Sequence, residues 1–202
     1  MRVLITAGPT REPLDPVRFL SNRSTGRMGL AIAEAALRRG HEVQVVLGPI
    51  ALQPPVGADV YVVETTDEML AATLDFLDDT DAIICAAAVC DYRPTARSEQ
   101  KLKRGAMKTI ELVENPDIAA EVGARRGTRP LAVFALETTD GVANAIDKLE
   151  RKNADLCVLN TPDAIGADEA AFTLVRRDGS TTDLGKLAKG ALAQRLLDEM
   201  SL

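Results

Sequence analysis

Residues 82–89 (AIICAAAV) constrain the fold more than any other segment, because they contain no charged or strongly polar side chain. A strand without polar alternation belongs in the middle of a sheet that is covered on both faces. Shorter apolar runs typical of further strands occur at residues 2–6, 42–47, 59–63, 131–136 and 155–159. Segments with helical periodicity lie between several of them, at residues 26–39, 66–77, 116–125 and 142–152.

The alternation of strands and helices predicts a parallel sheet with right-handed crossovers. We therefore expect an α/β protein with a three-layer, doubly wound, mostly parallel (Rossmann-like) sheet, in a single domain over residues 1–202. Ligands bind to such folds where the strand order reverses. This predicts a crevice at the carboxyl ends of the strands at residues 2–6 and 82–89.

Capping residues predict where two of the helices begin. Thr66 is expected to cap the helix of residues 66–77, with acidic residues in its first turn. Asn115 is expected to cap the helix of residues 116–125, with Pro116 at the first helical position.

The C-terminal part of the chain predicts a hairpin followed by a helix. Asp178 and Gly179 form a turn signal between apolar runs at residues 171–175 and 180–183. An amphipathic pattern over residues 184–200 predicts a closing helix.

The composition excludes several classes of protein. A net charge of −6 argues against general nucleic-acid binding, which needs clustered cations. No apolar stretch is long enough to span a membrane, and the first one is too short for a signal peptide, so we expect a cytoplasmic protein. The single histidine, His41, excludes a His-based triad or zinc site. Three cysteines without CxxC spacing are expected to be buried, reduced thiols.

A long proline-containing loop follows the first strand and ends in residues that are suited to anion binding. Ser24, Thr25 and Gly26 precede a helix, so hydroxyls, backbone N–H groups and the positive end of the helix dipole would meet there. Arg23 and Arg27 add positive charge. The alternative is that Ser24 or Thr25 caps the helix and the arginines are solvated. The segment is neither a GxGxxG fingerprint nor a P-loop, which argues against a standard dehydrogenase or kinase.

Small residues end the central apolar strand. Ala86 to Ala88 would let a ligand approach the backbone closely, and Asp91 would accept hydrogen bonds from a ligand hydroxyl or amine. The alternative is a tightly packed strand followed by a capping aspartate.

Two further segments carry lysines. Lys101, Lys103 and Arg104 suit a lid that closes on a polyphosphate, although a solvated charge run is the usual explanation of such a cluster. Lys148 and Lys152 are four residues apart and share one helical face, which is ordinary on a surface helix.

Taken in chain order, these segments resemble the phosphopantothenoylcysteine synthetase (phosphopantothenate–cysteine ligase) family, the ligase half of the bifunctional bacterial coenzyme A flavoprotein. The matching strings are TAGPTREPLDPVRFLSNRSTGRMG, AAAVCDYRP, KLKR, ELVENPDI, VFALET and KNADLCVLN. The preceding decarboxylase domain of the bifunctional protein is absent from this sequence. The resemblance therefore implies a stand-alone ligase without flavin.

The resemblance implies a reaction and its participants. The family condenses 4′-phosphopantothenate with L-cysteine after a nucleoside triphosphate has activated the carboxylate. Bacterial members use CTP, which gives an acyl-cytidylate and pyrophosphate, and the cysteine amine then displaces CMP. The resemblance also implies Mg²⁺ with CTP as co-substrate, a homodimer, and a separate phosphopantothenoylcysteine decarboxylase as a candidate partner. It assigns no metal ligands in this chain.

The resemblance also assigns site residues. Lys101 would serve the activation step, and Asn22 would orient the acyl-nucleotide intermediate. The nucleotide-binding positions would be Gly8, Ser24, Thr25, Gly26, Ala86, Ala87, Asp91, Lys101, Asn115, Pro116, Asp117, Ile118, Phe134, Lys148 and Lys152. The substrate-binding positions would be Asn22, Arg23, Ala87, Ala88 and Asp91. A flap over about residues 93–110 would help to complete the neighbouring subunit's site.

The sequence departs from the family pattern at a few positions. Arg27 replaces the usual lysine of SSGKMG, and Thr25 replaces its second serine. Leu136 replaces the third residue of FAAET and would narrow the pocket. The flap is shorter than in relatives.

Two other functions are compatible with the predicted fold. An NAD(P)-dependent reductase or epimerase would need a GxGxxG fingerprint, and its usual Tyr-x-x-x-Lys pair is also missing. A non-catalytic nucleotide-binding module would bind CTP without turnover.

Overall fold

The computed structural model describes residues 1–105 and 109–202. In chain order its elements are β1 (Arg2–Ala7), β2 (Arg11–Pro13), β3 (Phe19–Ser21), α1 (Arg27–Arg38), β4 (Glu42–Leu47), β5 (Asp59–Val62), α2 (Thr66–Leu77), β6 (Ala82–Cys85), β7 (Tyr92–Pro94), β8 (Leu112–Glu114), α3 (Ile118–Arg125), β9 (Leu131–Leu136), α4 (Gly141–Arg151), β10 (Leu156–Asn160), a 3₁₀ turn (Pro162–Ala164), β11 (Glu169–Arg176), β12 (Thr181–Ala188) and α5 (Lys189–Glu199).

An eight-stranded sheet has the order β12-β11-β10-β9-β6-β1-β4-β5. β1 pairs in parallel with β4 on one side and with β6 on the other. The chain therefore winds outward from β1 to β5, returns to β6, and winds the other way, so the strand order reverses between β1 and β6. β11 and β12 add an antiparallel edge. The predicted doubly wound, mostly parallel α/β fold is confirmed.

Two helical layers enclose this sheet. α1 and α5 pack on one face over a cluster that includes Ile5 and Ile32. α2, α3 and α4 pack on the other face over a cluster that includes Leu4 and Met69. Neighbouring residues of β1 thus point into different cores, each fully buried side chain contributing about 1.5–3 kcal/mol. Burial on both faces explains why these strands lack polar alternation.

The central strand is shorter than predicted. β6 ends at Cys85, where its pairing with β9 stops. The residues that follow stay beside β1 in an irregular continuation of the parallel pairing: Ala86 N donates to Thr6 O at 3.1 Å, Ala88 N donates to Gly8 O at 2.9 Å, and Ala88 forms an isolated bridge with Pro9. The predicted strand of residues 82–89 was therefore wrong over its second half.

Two helix starts also differ from prediction. The cap of α2 is Thr65 rather than Thr66, because Thr65 and Glu68 form a reciprocal capping box. α3 begins at Ile118 with Asp117 as its cap, so Asn115 is not a helix cap and Pro116 is not in the helix.

The C-terminal prediction was wrong in one place. β12 continues to Ala188, and α5 begins at Lys189 rather than at residue 184. Leu184 and Leu187 pack against the core from the strand, so apolar positions that suit a helix here serve a β-strand. The register between β11 and β12 shifts between Phe172 and Thr173, whose partners are Gly185 and Asp183, so Leu184 is the extra residue of β12 at this step.

Two small antiparallel pairs project beside the main sheet. β2 and β3 pair within the predicted loop after β1, and β7 pairs with β8. The β7–β8 arm consists of these two strands and the described residues between them, 95–105 and 109–111. The predicted flap of residues 93–110 falls within this arm, and its residues 106–108 lie outside the described part. Across residues 1–105 and 109–202, the helices are all too short or too polar to span a bilayer.

Candidate functional site

A cavity of about 890 Å³ opens at the carboxyl ends of β1, β6, β9 and β10. It lies where the strand order reverses, as the sequence predicts. Most of the predicted site residues line it: Asn22, Arg23, Ser24, Thr25, Gly26, Ala86, Ala87, Ala88, Asp91, Asn115, Pro116, Asp117, Ile118, Phe134, Lys148 and Lys152. Gly8 and Lys101 are not among the lining residues.

The amino end of α1 forms one wall of the cavity. Its cap is Gly26, at φ 75°, and no side chain caps the helix. The alternative role of Ser24 or Thr25 as the cap is therefore wrong, and the first backbone donors of α1 lack a side-chain cap. Gly29 brings the helix against β1, because an added Cβ would lie 2.4 Å from Ala7 Cβ. The helix end is thus held close to the strand, with its positive dipole at the cavity.

Asn22 joins two of the predicted segments. Its Nδ2 donates to the carbonyl oxygens of Ala88 at 3.0 Å and of Val89 at 2.9 Å. Gly8, at φ 80°, supports the same loop because its carbonyl accepts from Ala88 N. Gly8 thus lies behind the loop that forms the cavity wall.

Asn115 links loops instead of capping a helix. Its Nδ2 donates to Cys90 O at 2.8 Å, and its Oδ1 accepts from Arg93 at 2.7 Å. Its backbone N–H donates to Asp91 O at 2.8 Å. These bonds hold the start of the β7–β8 arm beside the cavity.

Lys148 and Lys152 are mostly buried, so the alternative of an ordinary surface helix is wrong for this face of α4. Lys152 Nζ lies 3.1 Å from Asp117 Oδ1, and that carboxylate also caps α3 through Ala120 N. Lys148 Nζ donates to Phe134 O at 3.4 Å and lies 3.6 Å from Glu137 Oε1.

Cys85 also lines the cavity, and its pKa is raised to about 12 because burial disfavours the thiolate more than Lys152 favours it. Cys90 and Cys157 are buried, and all three cysteines are free, as predicted, although Cys85 is only partly buried.

Lys101 is exposed and lies on the β7–β8 arm away from the cavity wall. The residue after it is anchored: Leu102 N donates to the buried Asp15 carboxylate at 3.1 Å, and Leu102 O accepts from Arg18 at 2.8 Å. Arg18 in turn pairs with Asp15, which holds the pKa of Asp15 well below its ordinary value.

Several lining residues were not predicted as site residues. Lys189 was missed because it lay inside a predicted helix of residues 184–200, whereas the helix begins at Lys189 itself. Phe172 was missed because the sequence did not indicate that its strand pairs with β10 beside the cavity. Asn160 lines the cavity with a buried Oδ1 that has no hydrogen-bond partner in the described part of the chain. Two signals could have identified it: it ends the string KNADLCVLN that carries the family resemblance, and it follows a strand beside those that form the crevice.

The arrangement suits a polyanionic ligand. Arg27, Lys148, Lys152 and Lys189 line one cavity together with the amino end of α1. Among the described residues there is no group of three or more His, Cys, Asp or Glu that could hold a metal ion. The site therefore offers cations and backbone donors for phosphate oxygens rather than an all-protein metal cage.

Comparison with known proteins identifies the family. Residues 1–202 match the family model described as DNA/pantothenate metabolism flavoprotein C-terminal domain. The chain belongs to this family. The resemblance found in the sequence motifs is thereby confirmed.

Relatives of known name match almost the whole chain. It is 43% identical over 204 residues to the coenzyme A biosynthesis bifunctional protein CoaBC of Vibrio cholerae, covering 97% of this chain and 51% of that protein. It is 42% identical over 204 residues to a cysteine/cysteine sulfinic acid decarboxylase of an unknown prokaryotic organism, covering 97% and 56%. The chain spans about half the length of these relatives.

A solved structure of similar extent has the same fold. The crystal structure of the C-terminal domain of coenzyme A biosynthesis bifunctional protein CoaBC superposes with a TM-score of 0.86 at 40% identity. The match covers 98% of this chain and 93% of that one. This family member therefore corresponds to the C-terminal half of the bifunctional protein.

Proposed function

We propose that this chain is a phosphopantothenate–cysteine ligase, which joins 4′-phosphopantothenate to L-cysteine after CTP has activated the carboxylate. The observation that carries the proposal is that one cavity contains both the Asn22-bound loop of residues 86–89 and the paired lysines of α4. The family and the name of the matched CoaBC domain support the same activity.

The chemistry requires two anions to meet. A carboxylate must attack the α-phosphate of the nucleotide, so cations have to neutralise the polyphosphate and donors have to stabilise the charge as it moves. Lys148, Lys152 and the first turn of α1 supply these groups on different walls of the cavity. When bound, Mg²⁺ would be held chiefly by phosphate oxygens and water and would add charge neutralisation; Asp91 and Asp117 are carboxylates of the cavity lining that could assist.

Asn22 has the role of positioning the acyl-nucleotide. Its two bonds to backbone carbonyls fix its amide beside Ala87 and Ala88, where small side chains let the pantothenoyl chain approach. Such positioning lowers the entropic cost of attack by the cysteine amine. Asp91 and Arg23 line the same part of the cavity and would contact the substrate.

Lys101 has the role of assisting the activation step from the β7–β8 arm. Because it does not line the cavity, this role requires the arm to approach the bound nucleotide, of this subunit or of a neighbouring one. The homodimer, a separate decarboxylase partner, the absence of flavin and a cytoplasmic location all remain predictions.

The test is a pyrophosphate-release assay with phosphopantothenate and Mg²⁺ but no cysteine, in which CTP, ATP, GTP and UTP are compared. We expect pyrophosphate and a trapped acyl-cytidylate with CTP, and amide product once cysteine is added. No pyrophosphate with any of the four nucleotides would refute the ligase. Binding of CTP without turnover would favour a nucleotide-binding module, and tight binding of NADPH would favour a reductase.

Two variants test the assigned roles. Lys101→Ala should lower formation of the intermediate about 100-fold, whereas Asn22→Asp should leave that step largely intact and lower amide formation by about 100-fold. Lys186→Ala is the control, since Lys186 is an exposed lysine of β12 that does not line the cavity. Wild-type rates in both variants would overturn the assignments while leaving the ligase itself standing.

A further inference from the structure

One wall of the cavity is formed by three segments that are distant in sequence. Arg27 is the first residue of α1, and Lys189 is the first residue of α5. The loop of residues 161–168 joins β10 to β11 and ends at Asp168. Arg27, Lys189 and part of this loop line the cavity.

Both cations hold this loop by its carbonyl groups. Arg27 Nη1 donates to Gly166 O at 3.2 Å and forms an ion pair with Asp168. Lys189 Nζ donates to Ala164 O at 3.1 Å and also to the carbonyl oxygen of Ala167. The two side chains therefore end at the same short stretch of backbone, close enough that the charge of Arg27 acts on Lys189.

The charges at this wall are not balanced. Two cations and the positive end of α1 face a single carboxylate, that of Asp168, whose side chain is 90% exposed. An ion pair with so exposed a partner contributes about 0–1 kcal/mol, so a competing anion can replace it. Burial lowers the pKa of Lys189, the nearby positive charge of Arg27 lowers it further, and Asp168 acts in the opposite direction.

We propose that Arg27 and Lys189 form the subsite for a dianionic phosphoryl group, and that Asp168 is a resident counterion which this group displaces. The guanidinium would hold two phosphate oxygens, the ammonium would contribute a point charge, and the free N–H groups of α1 would complete the shell. The inference rests on the proposed ligase function. Two groups of that reaction share this chemistry: the phosphomonoester of phosphopantothenate and the terminal phosphate of the nucleotide.

The experiment compares the wild type with Lys189→Met, Arg27→Met and Asp168→Asn. We measure KM for phosphopantothenate and for CTP in the pyrophosphate assay, and in parallel the calorimetric Kd for phosphopantothenate and for pantothenate. Lys186→Met is the matched control, because Lys186 is a 71% exposed lysine of β12 that does not line the cavity. Lys189→Arg keeps the charge and separates loss of charge from disruption of the 161–168 loop.

We expect Lys189→Met and Arg27→Met to raise one of the two KM values by about 10-fold or more, with kcat within threefold. Asp168→Asn should lower the same KM about threefold, and Lys189→Arg should largely retain wild-type affinity. A change confined to phosphopantothenate, and absent from the pantothenate Kd, assigns the phosphomonoester. A change confined to CTP assigns the terminal phosphate.

KM values within twofold of wild type in both methionine variants would overturn the subsite, as would weaker affinity in Asp168→Asn. The calorimetric arm needs no turnover, so the two proposals can fail separately. The subsite alone is refuted if the wild type, Lys189→Met and Arg27→Met bind phosphopantothenate equally well and the KM for CTP is also unchanged. No binding of phosphopantothenate and no turnover by the wild type refute both.

Discussion

The two cationic ends of the cavity differ in what holds their charged side chains. At the α4 end, Lys152 pairs with Asp117, a carboxylate that also caps α3 and so has a fixed place in the fold. At the α1 and α5 end, Arg27 pairs with Asp168, whose exposed side chain lies on a loop. The side chains of Lys152 and Asp117 are 17% and 42% exposed, whereas those of Arg27 and Asp168 are 39% and 90% exposed.

This difference separates a permanent ion pair from an exchangeable one. Loss of Asp117 would leave the largely buried ammonium of Lys152 without its partner, whereas exchange of the exposed Asp168 changes the free energy little. The α4 end is therefore organised before any ligand arrives. The α1 and α5 end is held by a counterion that a ligand can replace.

The largest expected effect is at the permanent end. Lys152→Met should lower kcat/KM for the nucleotide about 100-fold, or about 2.7 kcal/mol, because the polyphosphate loses a desolvated cation and Asp117 loses its partner. The measurement is pyrophosphate release at varied CTP, with Lys186→Met as control. A loss of less than threefold would mean that the α4 end does not contact the nucleotide.

A pair of carboxylate variants tests the comparison directly. Asp117→Asn should lower kcat/KM for CTP about 10-fold, because Lys152 loses the group that holds it, while asparagine still caps α3. Asp168→Asn should act in the opposite direction and improve binding of the phosphoryl group at its own end. Effects of the same sign in the two variants would show that the ends are not different in kind.

The smallest expected effect is a pH dependence confined to the exchangeable end. Because burial and Arg27 lower the pKa of Lys189, its ammonium loses its proton at a lower pH than an ordinary lysine, whose pKa is about 10.4. Phosphoryl affinity should therefore begin to weaken at a pH below that ordinary value, as the ammonium loses its charge. The affected KM in Lys189→Arg should stay constant over the same rise in pH, because arginine remains protonated. An identical rise in both proteins would assign the pH dependence to another group.

Sequence patterns predicted the parallel sheet because a strand buried on both faces leaves a continuous apolar run. They did not predict where β6 ends, because Ala86 to Val89 are as apolar as the strand itself. The strand ends where pairing with β9 stops at Cys85, while backbone bonds to Thr6 and Gly8 keep the next residues beside β1. They likewise predicted a helix at Leu184 and Leu187, because a spacing of three residues suits a helix and not a regular strand. The irregular step in the β11–β12 register is what lets both side chains pack against one core from a strand.

The same limits apply to the site. The resemblance to a family identified the residues on β6, α3 and α4 that line the cavity, and their local motifs made this possible. Lys189 had no such motif and lay inside a predicted helix, so its place at the cavity depends on where β12 ends. Asp168 gained its importance only from a partner 141 residues away.

The partly buried Cys85 has a consequence for redox chemistry. With its pKa raised to about 12, it remains a protonated thiol at neutral pH although it lines the cavity. A protonated thiol is a poor nucleophile towards disulfides. Under the proposed ligase function, the protein would bind cysteine and would meet oxidised forms of that amino acid as well. The Cys85 thiol would then neither form a mixed disulfide with oxidised cysteine nor compete with the substrate amine for the activated carboxylate.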